Sequence, residues 1–461
     1  MKALGTEPIG NLLLRYSMPA ITGMVAFSLY NIVDSIFIGH KVGALALSGL
    51  AVAFPVMNLI FAISLLFGIG GASIISIRIG QKNIIGAHRV LGNVLILSLV
   101  ASILFGIGLL TFLDPILISF GASQQTLPYA HDFMTIIILG MPISYTMFNL
   151  NHLMRATGYP KKAMLSALIT VGYNIILAPL FIFYLEWGIR GAALATIFSQ
   201  IAGLVWVLYH FRNPNNFIHF QPGIYKPRKN IIKSICAIGL SPCLMNMCGC
   251  IVVVIINNGL LKYGGDLAVG AFGIINRVLI LFGMVVVGLT QGMQPIVGYN
   301  YGAKNMDRVK KTLRYGIVTG MIITTTGFLA SELLPHTIID LFSKDEKLIE
   351  FSVTGLRLSV IAFTLVGAQI VIGNFFQAIG QAKLSIILSL TRQLLFLVPC
   401  LLIFPNFWGQ NGIWISLPIS DALSFIVSFI ALVLFLRSPK VTQWDHTRDP
   451  LPELAPEKQH Y

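Results

Sequence analysis

Apolar runs of about 20 residues or more recur along almost the whole chain. The core of a bilayer holds no water, so a backbone crossing it must satisfy its own N–H and C=O groups, and runs of this length do so as helices. Twelve are legible: 12–38, 45–75, 90–112, 131–152, 162–184, 191–210, 233–261, 267–298, 312–334, 351–375, 384–404 and 411–436. The 461 residues are 56% hydrophobic and only 10% charged. A soluble domain carries about 25% charged residues. The expected fold class is therefore an all-α membrane protein with 12 transmembrane helices. The first run is too long for a signal peptide and contains Pro19 and Asp34, so it belongs to the expected fold.

The net charge of +14 would suggest nucleic acid in a soluble protein. Here the cations cluster in short loops between apolar runs, where they set orientation and meet lipid headgroups; nucleic acid is not an expected partner. Of 31 Lys and Arg, 23 fall in one set of loops and the tails, and 5 in the alternate loops. Arg277, Arg357 and Arg392 lie within spans. The split predicts that both termini are cytoplasmic and that the number of spans is even. Cys236, Cys243, Cys248, Cys250 and Cys400 all fall in apolar runs and read as small packing residues without zinc-site spacing.

The chain repeats itself at an offset of about 222 residues. Gly80-Gln81-Lys82-Asn83 matches Gly302-Ala303-Lys304-Asn305, and Arg155-Ala156-Thr157-Gly158 matches Gln377-Ala378-Ile379-Gly380. Trp187-Gly188 matches Trp408-Gly409, and Pro19 matches Pro242. Four matches in one order at one offset indicate an internal repeat. Six spans per copy is even, so the copies are parallel: two six-helix bundles facing one another across a cleft suited to alternating access. The expected divisions are a first lobe over 10–210, a cytoplasmic linker over 211–232, a second lobe over 233–437 and a cytoplasmic tail over 438–461.

Of 17 acidic residues, only Asp34 and Asp421 fall in the interior of apolar runs; the other 15 sit in loops, at run ends or in the tails. A carboxylate at mid-membrane costs roughly 2.5–3.5 kcal/mol on insertion scales, and such residues generally serve ion coupling or substrate binding. Asp34 stands 19 residues past Arg15, about 28 Å along a helix, in the outer part of the membrane. Tyr30 and Asn31 precede it on the same face. Pro19 removes a backbone hydrogen bond and is expected to bend the helix. In the repeat Asp34 aligns with Asn257 and Gln200 with Asp421, so packing residues are shared between copies while the charges are not. Asp421 is expected to pair with Arg277, Arg357 or Arg392 in a second-lobe polar network. Beside a wet cavity, Asp34 could take a proton on an acidic outer side and release it inside. Ionised, it would attract a cationic compound; neutral, it would let the compound go.

Five segments stand out: Pro19 followed by Asn31-x-x-Asp34 and Gly39; Arg155-Ala156-Thr157-Gly158-Tyr159-Pro160-Lys161; Asn174-Ile175-Ile176-Leu177-Ala178-Pro179; Gly191-Ala192-Ala193-Leu194-Ala195-Thr196; and Thr391-Arg392-Gln393. Together they resemble the multidrug and toxic compound extrusion (MATE) transporters, in particular their prokaryotic DinF/MepA-like branch. The likeness spans about 10–437. It implies a monomeric antiporter in a prokaryotic cytoplasmic (inner) membrane, exporting cationic amphiphilic small molecules against a proton or sodium gradient. It also implies a first-lobe ion site at Asp34, Asn151, Asn174 and Thr196. The chain departs from the pattern at Ala178, where the branch has a second acid, and it lacks the acidic pair of the second lobe. Proton exchange is therefore the expected coupling. Sodium at Asp34, Asn174 and Thr196 is the alternative, as is a lipid or lipid-linked oligosaccharide flippase of the same superfamily.

No nucleophile–base pair, metal-ligand cluster or phosphate-binding Gly-rich loop stands out, so neither an enzyme nor a cofactor is expected. The topology is directly testable. A reporter active only outside the cytoplasm should be silent when fused after Arg437, and a signal there would show that the span count is wrong.

Overall fold

The computed structural model describes residues 2–342 and 345–438, apart from the side chains of residues 2, 29–33, 35, 36, 39, 40 and 44. The expected tail thus lies almost wholly outside the described residues. The described residues form helices and no strand. The first half comprises α1 (Ile9–Lys41), α2 (Ala44–Gly80), α3 (Ile84–Thr111), α4 (Leu127–Leu139 and Met141–Ala156), α5 (Pro160–Tyr184) and α6 (Gly188–Arg212). A 74-residue stretch, Lys229–Gly302, opens the second half and breaks at Gly265 (φ 68°, ψ −166°) into α7 (229–264) and α8 (266–302). It is followed by α9 (Met306–Leu333), α10 (Glu346–Val360 and Phe363–Ala378), α11 (Ala382–Trp408) and α12 (Gln410–Arg437). The count of twelve agrees with the apolar runs. The connection between halves is 213–228, shorter at both ends than the expected 211–232.

Backbone geometry carries the repeat more faithfully than sequence does. Eight of the eleven positive-φ residues among those described fall in matched pairs: Gly43 and Gly265, Lys82 and Lys304 (φ 61° and 60°), Gly158 and Gly380, Gly188 and Gly409. A lysine at positive φ is strained. Each of these two is followed by an asparagine, Asn83 or Asn305, whose side chain caps the next helix by accepting from Gly86 N or Arg308 N. The fourth and tenth spans bend alike, by 56° and 52°. Those bends are not visible as apolar runs. Pro19 sits inside a single continuous α1, where it leaves the Arg15 carbonyl without its helical donor.

The termini of the twelve-helix unit share one face, called here the terminal face. Two apolar clusters on that side mix the halves. One joins Leu12 and Tyr16 to Met293, Val297 and Phe375. The other joins Ile75, Val94 and Leu153 to Ile235 and Ile238. On the far side each cluster belongs to one half: Ile38, Val56, Met134, Ala178 and Ala193 in the first; Ile256, Phe272, Leu356 and Trp414 in the second. The halves therefore close on the terminal side and separate toward the far face.

Glycines make the closed side possible. A Cβ on Gly70 would stand 2.2 Å from the Ile235 carbonyl oxygen, and one on Gly239 1.7 Å from that of Leu66. Gly80 and Gly302 repeat the arrangement against Tyr299 and Ile77, at 2.0 and 2.2 Å. Small residues let helix backbones touch in this way, which apolar lipid by itself does not drive. Hydrogen bonds lock the seam. Ser17 donates to Leu289 O (3.2 Å), Gln294 donates to Ser73 Oγ (2.7 Å), and the Arg155 guanidinium donates to the Gln291 side-chain oxygen. Gly239→Ala should strain this closed state alone, by about 1–3 kcal/mol for an overpacked contact. In a background with the native cysteines replaced, Ser73→Cys should then react with a water-soluble maleimide several-fold faster. Unchanged labelling would show that the seam tolerates the methyl.

Candidate functional site

Asp34 lies on α1, and two contacts set its level against the parallel α5. Gly23 packs on Ala167, and near the far end Lys41 Nζ meets Glu186 Oε1 at 3.1 Å. The offsets, 144 and 145, place Asp34 level with residues 178–179. Asp34 follows Gly23 by 11 residues, three turns plus ~20°, so it keeps the α5-facing side. Asn174 and Ala178 follow Ala167 by 7 and 11 residues and share the opposing stripe. Thr196, buried on α6, meets the Asp34 carboxyl. Asp34 Oδ1 and Asn174 Nδ2 are both buried without a hydrogen-bond partner. Ala178 is fully buried in the far-side cluster, so where the resemblance leads one to expect a second acid there is a packed methyl group.

The Thr196 hydroxyl has one proton, and Oγ1 is already 3.1 Å from Ala192 O. A hydroxyl can donate once but has two lone pairs. A neutral Asp34 can donate to those lone pairs while Thr196 keeps its bond to Ala192. A carboxylate would compete for the same proton. One turn along α6, Gln200 accepts from Ser144 on α4. Closer to the terminal face, Phe148 meets Phe27 and Phe61 edge-on, at 5.9 and 6.1 Å between ring centres. Phe27 precedes Asp34 by 7 residues on the same stripe. Gln200 is foreshadowed by its i, i+4 spacing from Thr196, whereas the aromatic trio comes from three helices and leaves no linear signal.

Not every expected residue joins this site. Asn151 is buried near the terminal face, donating to Ala163 O (2.8 Å) and accepting from Arg155 (3.1 Å). Ala163 precedes Ala178 by 15 residues, roughly 22 Å of helix, so Asn151 braces the α4–α5 junction and stands apart from Asp34. The side chains of Tyr30 and Asn31 lie outside the described residues. In the second half the expected network reduces to one pair: Arg392 Nε donates to Asp421 Oδ1 at 2.8 Å, with Asp421 6% exposed. Arg392 is presented by a π-helical stretch, Thr391–Leu397. Arg357 does not reach Asp421; it pairs with Glu332 at 3.6 Å on an exposed surface. Arg277 is exposed, and neither a hydrogen bond nor an ion pair holds it among the described residues. The rotation of each helix against its neighbours, which spacing along the chain does not reveal, separates these arginines. The described residues include no group of three or more His, Cys, Asp or Glu able to hold a metal, and all five cysteines are free.

Comparison with known proteins matches this architecture. The MatE family model matches residues 19–180 and 237–402, one stretch in each half. A multidrug export protein MepA of Staphylococcus haemolyticus is 30% identical over 424 residues, covering 92% of this chain and 93% of its own. Among solved structures, the MATE multidrug transporter DinF-BH, solved as a complex with a bound compound, is 36% identical with a TM-score of 0.87, covering 94% and 97% of the two chains. An outward-facing multidrug resistance MATE transporter of the MOP superfamily superposes with a TM-score of 0.90 at 26% identity, covering 96% and 98%. The protein belongs to the MATE family. It is a membrane transport protein and not an enzyme.

The Arg392–Asp421 pair invites a structural test. Breaking a buried pair strands a charge and costs about 3–5 kcal/mol, whereas replacing both partners with apolar groups is often neutral. Arg392→Met and Asp421→Leu singly should lower the melting temperature of the purified protein, and the double substitution should restore most of the loss. A double variant as unstable as the singles would argue for a role beyond pairing.

Proposed function

We propose that this MATE-family multidrug transporter exports cationic amphiphilic compounds in exchange for protons, with Asp34 as the proton carrier. The single observation that carries this reading is the lone first-half acid, buried beside Thr196 with Oδ1 unpartnered. The bonding around Thr196 has room for a neutral Asp34 in this closed-terminal-face state, since Oγ1 keeps its bond to Ala192 O while accepting. With the basic residues placing the terminal face in the cytoplasm, the conformation faces outward, the state in which a proton is loaded. When Asp34 loses its proton, Asn174 Nδ2, which lacks an acceptor here, is a donor available to the carboxylate. The ionised site then attracts a cation from the cytoplasmic side, and reprotonation outside expels it.

Sodium coupling is the second reading, because Asp34, Asn174 and Thr196 offer oxygens on adjacent helices. Hard cations are generally held by several oxygens, often carboxylates. With a buried methyl at Ala178, one carboxylate serves the site. Proteoliposomes separate the two readings. With the membrane potential clamped, ethidium transport should follow an imposed pH gradient and ignore a sodium gradient. Asp34→Asn should reduce it to the rate of empty vesicles without loss of expression or monodispersity. Transport driven by sodium alone, or wild-type rates in Asp34→Asn, would overturn the assignment.

A further inference from the structure

Arg277 is a cation without a partner among the described residues, and its position is informative. On α8, the contacts that face the first half form one stripe: Gly288 packs on Ile21, Gly292 on Ser17, and Tyr299 on Gly5 and Gly80. Arg277 precedes Gly288 by 11 residues, three turns within ~20°, and so continues that stripe toward the far face. The opposite side of α8 is buried, Phe272 and Ile275 in the second-half cluster and Val286 and Met293 in the terminal-side cluster that mixes the halves. On the stripe next to Arg277, Leu281 is 49% exposed, and a side chain begun at Gly273 would meet nothing within 4 Å. Arg277 therefore projects into the space where the halves have parted.

Its depth follows from the seam. Helices α1 and α8 run antiparallel, and the pairs Ser17/Gly292 and Ile21/Gly288 each sum to 309. Residue 34 accordingly stands level with residue 275, about 3 Å along the axis from Arg277. It also lies 12 residues, roughly 18 Å of helix, from the break at Gly265. A guanidinium at that depth faces a wet cavity or a bound partner. The acid and the base thus stand at a common level, Asp34 turned inward toward α5 and α6 of the first half and Arg277 on the side of α8 that faces the first half.

We propose that Arg277 is an anion-binding point on the second-half wall and selects among amphiphilic substrates by meeting the carboxylate of those that are zwitterionic. This rests on the cleft being the substrate path proposed above. The planar guanidinium matches a carboxylate in a two-pronged charge-assisted hydrogen bond. A lysine in its place keeps the charge but loses the fork. The same group would also suit the phosphate of an anionic lipid, and the experiment separates the two sources.

Equilibrium binding to the purified full chain in neutral detergent needs no ion gradient, so a failure of proton coupling leaves this test intact. Fluorescence polarisation compares an esterified cationic rhodamine with the free acid made by hydrolysing its ethyl ester, a zwitterion on the same ring system. The wild type should bind the acid at least as tightly as the ester. Arg277→Gln should weaken the acid by about tenfold or more, equivalent to about 1.4 kcal/mol, and the ester by less than threefold; Arg277→Lys should fall between. Retained ester binding reports that the variant is folded. Equal losses for both dyes, or a wild type that binds the acid tenfold more weakly than the ester, would overturn the proposal. So would displacement of the acid by phosphatidylglycerol but not phosphatidylcholine in nanodiscs, which would assign Arg277 to a lipid headgroup.

Discussion

Backbone contact between α2 and the α7–α8 pair is the constraint on which the rest of the structure depends. Hydrocarbon surrounds these helices on the outside, so burying Leu or Ile against a neighbouring helix gains little over burying it in lipid. What holds two bundles together is close approach and hydrogen bonding. Gly70, Gly80, Gly239 and Gly302 allow helix backbones within a distance that any side chain would block. Ser17, Gln291 and Gln294 then bond across. Because this seam occupies one side of the membrane only, the halves part on the other side, and the parted walls form the cleft.

Near-symmetry of the scaffold and asymmetry of its charges divide the labour. The turns repeat to within a few degrees at Lys82 and Lys304, and the bends of α4 and α10 agree within 4°. On this shared frame the first half buries a carboxyl beside Thr196 with an oxygen unpartnered. The second half neutralises its own buried acid with Arg392 at 2.8 Å. An ion pair at mid-membrane is costly to disturb, whereas a single carboxyl can change its charge with one proton. That contrast is why the proposed coupling rests on Asp34 and not on Asp421.

Much of this was legible in the chain. Twelve apolar runs and a repeat of about 222 residues sufficed for the helix count and the two-bundle arrangement, since a bilayer leaves a backbone few alternatives. Asp34 was also visible as a candidate, because a carboxylate inside an apolar run is rare, whereas Thr196 was offered by the family resemblance. Their meeting was not legible, and neither was the separation of Asn151, which belongs to the same resemblance pattern but sits roughly 22 Å along α5 from the level of Ala178. The bends in the fourth and tenth spans left no trace in hydropathy.

The arginines draw the boundary most plainly. All three look alike in the sequence, as cations within second-half spans. Only the tertiary structure shows that Arg392 is bound to Asp421, that Arg357 lies with Glu332 at the surface, and that Arg277 is exposed with no such partner among the described residues. The sequence by itself determined which segments enter the membrane, because transfer free energy is a property of residues summed along the chain. It did not determine which side chains share a pocket, because that depends on helix phase, tilt and register between segments far apart in the chain. Those are decided by packing.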